Sequence, residues 1–201
     1  DTENTAIKWV PLSGGSVRTL AQGNLVNKPR KMTLTADSRT LYVASTGGHR
    51  VIAINTITGA QSVVAGSGND AYVEGVGTGA SFKTIWGVTR VGNTLYVTDG
   101  NGFNDRVRKI DLTTKQTTLF ASDTTMSSLN FPAGIVGDDS NIYVANSGLG
   151  TIYRFSKTNP AGDQGVYVGS DRFENNDAVG KGNANIGRPW HLAKASNNSD
   201  Y

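Results

Sequence analysis

A short motif occurs three times in this 201-residue chain and constrains its fold more than any other feature. The copies are LYVAS at 41–45, LYVTD at 95–99 and IYVAN at 142–146. Each copy is followed by two further apolar segments in which side chains tend to alternate, the pattern of half-buried strands. A unit of roughly 40–50 residues that contains several short strands is typical of one blade of a β-propeller.

A further apolar segment precedes each tyrosine-containing strand, so that one unit has four strands, which we name A to D. Strand A has a proline or isoleucine at one position and an apolar residue three positions later (Pro29, Ile85, Pro132 and Pro189; Met32, Val88, Ile135 and Leu192). No segment has the periodicity of a helix. The sequence therefore predicts an all-β fold, a β-propeller of four-stranded antiparallel blades.

The repeat predicts three complete blades with partial blades at both ends of a single domain. We expect a half blade with strands C and D at 5–23, blades at 26–68, 82–122 and 129–170, and the start of a blade at 186–201. The terminal strands could combine into one composite blade, which would close a four-bladed ring. Alternatively, the chain is a fragment of a larger ring. We favour the fragment, because a chain that stops inside a strand leaves an unpaired edge, which natural sheets avoid.

Residues 64–88 and 95–111 resemble the NHL repeat of bacterial β-propellers. The matching residues are Glu74, Gly75, Gly77, Ala80, Phe82, Gly87 and Val88 in the first stretch, and Asn104, Arg106, Val107, Arg108, Lys109 and Ile110 in the second. The chain departs from the pattern at Ile85, where proline is usual, and at Asp105, where histidine is usual. The resemblance implies an NHL-like propeller fold. It leaves the function open, because the family includes binding scaffolds, RNA binders and a few lyases or hydrolases.

Composition restricts the possible partners and the cell compartment. Lys and Arg number 19 against 16 Asp and Glu, a net charge of +3 that does not predict nucleic-acid binding. The chain has no cysteine, which excludes disulfides and thiolate metal sites. No apolar run reaches the ~18–20 residues that span a bilayer. The resemblance to bacterial NHL repeats implies a bacterial protein. The chain begins at Asp1 without a methionine, as it would after removal of a signal peptide, so we expect it to be secreted or periplasmic; a cytoplasmic location stays open.

Aromatic and cationic residues cluster near the start of strand A, close to the expected central channel. These candidates for a ligand site are Arg30, Lys31, Lys83, Trp86, Arg188, Trp190 and His191. Such residues stack on a sugar ring or a base and pair with a phosphate or carboxylate. The alternative is that the tryptophans pack between blades and the cations face solvent. Further cations recur on strand C and predict interblade ion pairs or a solvated face (Arg50, Arg106, Arg108, Lys109 and Arg154).

One loop is rich in oxygen ligands of the kind that Ca²⁺ accepts, Asp99, Asn101, Asn104 and Asp105. Asp and Asn are equally common in tight turns, and the acidic loops around Glu74 and Asp177 have the same ambiguity. The two histidines, His49 and His191, lie in different blades, so they do not predict a zinc site. We predict no catalytic residue and no cofactor, with Ca²⁺ as the one possible ion.

We therefore expect a non-catalytic scaffold that binds a protein, a glycan or a small ligand on one face of the ring. A channel plugged by the apolar set of strand A would favour this scaffold. A propeller lyase or hydrolase with a divalent cation in the channel is the second hypothesis, and anion or nucleic-acid binding through a basic face is the third. Self-association through open blade edges is a further expectation.

Overall fold

The structure is a computed structural model that describes residues 1–102, 104–122, 129–170, 175–176 and 184–194. Within these ranges the chain forms β-strands and two single-turn 3₁₀ segments, Thr46–Gly48 and Gly77–Gly79. None of the described residues forms a helix that could cross a membrane.

The strands form consecutive antiparallel sheets. An N-terminal hairpin consists of β1 (Ala6–Trp9) and β2 (Arg18–Gln22). Blade 1 comprises β3 (Pro29–Leu34), β4 (Thr40–Ser45), β5 (Arg50–Asn55) and β6 (Gln61–Ala65). Blade 2 comprises β8 (Ile85–Val91), β9 (Thr94–Asp99), β10 (Arg106–Asp111) and β11 (Gln116–Ser122), and the two-residue strand β7 (Gly75–Val76) pairs with β11 as a short fifth strand at its outer edge. Blade 3 comprises β12 (Pro132–Gly137), β13 (Asn141–Asn146), β14 (Thr151–Ser156) and β15 (Gln164–Gly169).

Two short strands follow blade 3, β16 (Asn175–Asn176) and β17 (Asn185–Ile186), which pair with each other. The inner strand β8 of blade 2 packs against both β3 and β12. Four-stranded sheets that follow one another in the chain and pack through their first strands are the blades of a propeller. The prediction of an all-β fold with four-stranded antiparallel blades is therefore confirmed.

The fourth strand of each blade carries a bulge at the same repeat position, opposite the step from Val51 to Ile52, from Val107 to Arg108 and from Ile152 to Tyr153 on the third strand. The N-terminal hairpin has the same irregularity between Ile7 and Lys8. A residue in the left-handed conformation precedes the third strand or β1 in three of these cases (Thr5, φ 50°; His49, φ 49°; Gly150, φ 63°). The hairpin thus has the local geometry of strands C and D.

Apolar clusters fill the spaces between neighbouring sheets. Val88 lies fully buried in the cluster between blades 1 and 2, and Ile135 lies fully buried in the cluster between blades 2 and 3. Met32, at the same repeat position, is 45% exposed. This set does not form the apolar plug that would have favoured a scaffold, because two of its members lie in the cores between blades.

The segment 187–194 follows β17 without forming a strand. The start of a blade expected at 186–201 is described only as far as Lys194; residues 195–201 and Asp177 lie outside the described residues. The carbonyl oxygen of Trp190 lies 2.8 Å from the position that a Cβ on Gly134 would take. The carbonyl oxygen of Ala133 lies 2.4 Å from the corresponding position on Gly87. The segment therefore lies beside β12 much as β12 lies beside β8.

Candidate ligand-binding site at the inner strands

Four residues at one repeat position, each next to the proline or isoleucine that begins strand A, converge on a single cavity. They are Arg30, Trp86, Ala133 and Trp190, and His191 completes the lining. The cavity has a volume of about 270 Å³. Equivalent positions on neighbouring blades face the same axis, so the repeat itself brings these side chains together.

Three aromatic rings contact one another here: Trp86 and Trp190 line this cavity, and Phe131 lines the neighbouring one. The ring centroids of Trp86 and Phe131 are 5.0 Å apart, those of Trp86 and Trp190 are 5.6 Å apart, and those of Phe131 and Trp190 are 5.5 Å apart. Trp86 donates its indole N–H to the carbonyl oxygen of Gly100 over 2.9 Å, which fixes its ring. These distances fall in the range of favourable aromatic pairs.

Phe131 is not among the candidates named from the sequence, although its repeat position could have indicated it. It stands immediately before Pro132, at the repeat position that Arg188 occupies before Pro189. Its φ of 54° lies in the left-handed region, which is unusual for a bulky residue. The fold thus holds Phe131 in a conformation that brings its ring to the two tryptophans.

Arg30 supplies the positive charge nearest to the rings. Its guanidinium carbon lies 4.1 Å from the centroid of the Trp86 ring, a cation–π geometry. Arg30 is exposed, and it makes no hydrogen bond or ion pair with the part of the chain that the structure describes. Its N–H groups are therefore available to a ligand.

The other candidates are distributed around the rings. Arg188 lines an adjacent cavity of about 270 Å³ together with Phe131 and Trp190. Lys31 donates its ammonium group to the carbonyl oxygen of Leu192 over 2.9 Å, which ties β3 to the C-terminal segment. Lys83 lies before β8 and does not line either cavity; its carbonyl oxygen is 2.5 Å from Nδ1 of His49. The structure thus brings Arg30, Trp86, Trp190 and His191 to one cavity and Arg188 to the adjacent one.

The last residue of strand B fixes the segment that leads into strand A of the same blade. The Asp99 carboxylate accepts hydrogen bonds from the backbone N–H groups of Lys83 (2.8 Å) and Thr84 (3.0 Å). The Asn146 side chain accepts one from the N–H of Asn130 (2.7 Å), and the Ser45 hydroxyl accepts one from Asn27 (3.0 Å). One polar side chain per blade therefore holds the backbone that presents the site.

Asp99 also pairs with Arg108, and both side chains are fully buried. The Arg108 Nη1 atom lies 3.5 Å from Oδ2 of Asp99, and Nη2 donates to the carbonyl oxygen of Val73 over 3.1 Å. Burial raises the pKa of Asp99 to about 6, although the charge of Arg108 opposes this shift. Burial lowers the pKa of Arg108. The expectation of interblade ion pairs or a solvated face is wrong for Arg108, because its partner Asp99 lies in the same blade.

The four oxygen-bearing residues of the proposed Ca²⁺ loop have different environments. The buried Asp105 carboxylate accepts hydrogen bonds from the backbone N–H groups of Gly102 (2.9 Å) and Phe131 (2.5 Å). Asn101 and Asn104 are exposed, and Asn104 has a φ of 54°. The carboxylates of Asp99 and Asp105 thus already accept hydrogen bonds from backbone N–H groups of neighbouring loops. Ca²⁺ binding here stays a prediction.

Comparison with known proteins relates the chain to propellers by structure alone. No family model matches the sequence, and no curated protein matches it. A chain in the crystal structure of a nidogen/laminin complex is similar, with a TM-score of 0.69 and 16% identity over 95% of this chain and 61% of that one. A protein of unknown function from Bacteroides thetaiotaomicron has a TM-score of 0.63 and 19% identity over 94% of this chain and 44% of that one.

These likenesses establish the β-propeller fold of this chain. The chain spans less than two thirds of the length of either solved structure. Membership of the NHL family and the interpretation as a fragment of a larger ring stay predictions.

Proposed function

We propose that this chain is a non-catalytic binding module of an NHL-type β-propeller, and that it holds a ligand where Arg30, Trp86, Phe131 and Trp190 meet. The observation that carries the proposal is the exposed guanidinium of Arg30, which has no partner within the described ranges and lies stacked 4.1 Å above Trp86 at the edge of a cavity. Tryptophan and arginine dominate the residues that contribute most to binding energy at interfaces.

The exposure of one aromatic ring supports this role. Trp190 is 42% exposed although it contacts two other rings. A large apolar side chain that stays accessible beside a cavity gains free energy when a ligand covers it, about 25 cal/mol per Å² of apolar surface removed from water. The same side chain packed between blades would have lost that surface on folding.

The site is also rigid, which reduces the entropy cost of binding. The Thr98 hydroxyl donates to the carbonyl oxygen of Ala133 over 2.8 Å and accepts the N–H of Gly87 at the same distance. These bonds join blades 2 and 3 directly behind Trp86. A scaffold whose inner strands are tied in this way presents its ligand groups without a large rearrangement.

The proposed setting is extracytoplasmic, secreted or periplasmic, and the partner class includes proteins, glycans and small ligands. A similar solved chain belongs to a nidogen/laminin complex, which supports an interaction role by analogy of fold. The lyase or hydrolase with a divalent cation is the alternative, and turnover of a bound substrate on addition of Ca²⁺ would favour it.

A fluorescence screen tests the proposal. Trp9 lies on the N-terminal hairpin, so a Trp9→Phe background leaves Trp86 and Trp190 as the only tryptophans in the chain. Libraries of glycans, peptides and small acids are titrated against this protein, and hits are repeated with Trp190→Ala and with Arg39→Gln as an exposed control. Saturable binding that Trp190→Ala weakens at least tenfold supports the proposal. Binding that is insensitive to Trp190→Ala in every hit contradicts it.

A further inference from the structure

We propose that the ligand held at this site is an acidic sugar, a uronic acid unit of an oligosaccharide or polysaccharide. Its pyranose ring packs on Trp190, and its carboxylate pairs with Arg30. This inference rests on the proposed function and specifies the chemical class of the ligand.

Arg30 determines which anionic group the ligand carries. Its cation–π contact with Trp86 uses one face of the planar guanidinium and leaves the N–H groups at its edge free. These N–H groups form two parallel hydrogen bonds with a carboxylate, which is the geometry that a guanidinium recognises best. Among the described residues, no acceptor takes these hydrogens.

The charge of the surroundings also favours an anion. The cavity lining contains Arg30 and His191 and no carboxylate. Asp99 and Asp105 on the adjoining loop are fully buried, and their oxygens accept backbone N–H groups of Thr84 and Phe131. The carboxylates of the loop therefore do not neutralise Arg30, and a ligand supplies its counter-charge.

Trp190 determines the second feature of the ligand, a ring with apolar C–H groups. The indole lies at 57° to Trp86 and at 79° to Phe131, so neither neighbour stacks parallel to it. Trp190 is 42% exposed, so it keeps surface that a ligand can cover. The C–H bonds of a pyranose carry partial positive charge and pack against the negative face of an aromatic ring.

The dimensions favour one sugar unit over a peptide. The cavity volume of about 270 Å³ lies near the lower end of small-ligand sites, which begin at about 300 Å³. An aspartate or glutamate side chain would satisfy Arg30 but would bring no ring to cover Trp190. A uronic acid satisfies both groups because its carboxylate is attached directly to the ring.

The test compares three probes by fluorescence and calorimetry on the Trp9→Phe protein: trigalacturonic acid, its methyl ester and tetraglutamate. We expect trigalacturonic acid to bind at least tenfold tighter than its methyl ester, because esterification removes the charge that Arg30 recognises. Arg30→Gln abolishes this difference, whereas Arg39→Gln, in the turn between β3 and β4, leaves it unchanged. Trp190→Ala weakens both sugars, because it removes the ring surface.

Equal binding of acid and ester, or tighter binding of tetraglutamate than of trigalacturonic acid, overturns the inference. If neither sugar binds while another ligand depends on Trp190, the acidic-sugar inference falls and the proposed function stands. If no ligand of the screen depends on Trp190 or Arg30, both proposals fall.

Discussion

Thr46 donates its hydroxyl hydrogen to the carbonyl oxygen of Ile85 over 2.5 Å, which ties blade 1 to the inner strand of blade 2. The same kind of bond joins Thr2 to Pro29 (2.8 Å) and Ser147 to Pro189. Every acceptor is the residue at the proline or isoleucine position of strand A. Each donor stands four residues before strand C begins. Successive units are therefore joined by a repeated side chain–backbone hydrogen bond in addition to apolar packing.

Removal of this bond between blades 1 and 2 is expected to reduce stability. In Thr46→Val the shape is kept but the carbonyl oxygen of buried Ile85 loses its hydroxyl donor. A buried acceptor without a partner costs about 1–3 kcal/mol, so the free energy of unfolding falls by that amount. Urea denaturation measures the change. Thr46→Ser keeps the hydroxyl and serves as the control; an equal loss in both variants would show that the hydrogen bond is not the cause.

The buried Asp99–Arg108 pair provides a second stability prediction. Arg108→Met leaves the Asp99 carboxylate buried without its ionic partner. Breaking a buried pair from one side costs about 3–5 kcal/mol, because an uncompensated charge remains. The double variant Asp99→Asn, Arg108→Met removes that charge, keeps an oxygen that accepts the N–H groups of Lys83 and Thr84, and is expected to be more stable than Arg108→Met alone. Chemical denaturation measures the free energy of unfolding of both proteins. A double variant less stable than Arg108→Met would contradict this account.

The raised pKa of Asp99 predicts a specific pH dependence. Its folded-state value of about 6 lies above the ordinary value of 3.8, so the folded protein binds this proton more tightly than the unfolded chain. The contribution of Asp99 to stability therefore increases as the pH falls from about 6 to about 4 and is constant below that range. We expect the difference in unfolding free energy between wild type and Asp99→Asn to grow in favour of wild type over this interval.

The difference between the two proteins is the measured quantity because other carboxyl groups titrate as well. The pKa values of Asp37, Asp111 and Asp138 are lowered by hydrogen bonds, so these groups reduce stability in acid in both proteins. Urea denaturation of wild type and Asp99→Asn at intervals from pH 4 to pH 7 gives this difference. A difference that shrinks as the pH falls from 6 to 4 would be inconsistent with the environment described for Asp99.

Glycines on the inner strands allow the blades to approach closely. A Cβ on Gly87 would lie 2.4 Å from the carbonyl oxygen of Ala133, so Gly87→Ala forces the inner strands of blades 2 and 3 apart. We expect a loss of about 1–3 kcal/mol, the usual cost of overpacking. Gly165→Ala in β15 is the matched control, because nothing lies within 4 Å of its Cβ position. Thermal denaturation is expected to give a lower melting temperature for Gly87→Ala than for Gly165→Ala. Equal melting temperatures would contradict the close approach of β8 and β12.

Gly134→Ala tests the path of the C-terminal segment in the same way. The added Cβ would lie 2.8 Å from the carbonyl oxygen of Trp190 and 2.9 Å from Cα of His191. The segment must shift, and Trp190 moves away from Phe131. We expect a red-shifted Trp190 emission in the Trp9→Phe background and weaker ligand binding. An unchanged emission spectrum would mean that residues 190–191 do not lie against β12.

Several features of the site could be predicted from the sequence because they follow from the repeat. Trp86 and Trp190 stand at the same distance from Ile85 and Pro189 in their repeats, so a ring of blades must turn them toward a common axis. Period-two alternation and polar turns are local properties, which is why the four-stranded blades were also predictable. Arg30 follows Pro29 as Trp86 follows Ile85, so the repeat also predicts that Arg30 lies at the site.

Other features depend on distances between blades, which local pattern does not encode. Phe131 joins the two tryptophans only because its backbone adopts a left-handed conformation. Asp105 looked like a metal ligand, yet its carboxylate accepts the N–H of Phe131 from the next blade. Arg108 was expected in an interblade ion pair or on a solvated face, yet it lies buried against Asp99 of its own blade.

The sequence by itself therefore determined the strands, their grouping into blades and the repeat positions that approach the axis, because these depend on alternation and spacing along the chain. Only the tertiary structure decided which polar side chains form hydrogen bonds with the backbone and which remain available to a ligand. That choice depends on what each neighbouring blade brings within hydrogen-bond distance, and Arg30 is the cation that stays stacked on Trp86 without an acceptor among the described residues.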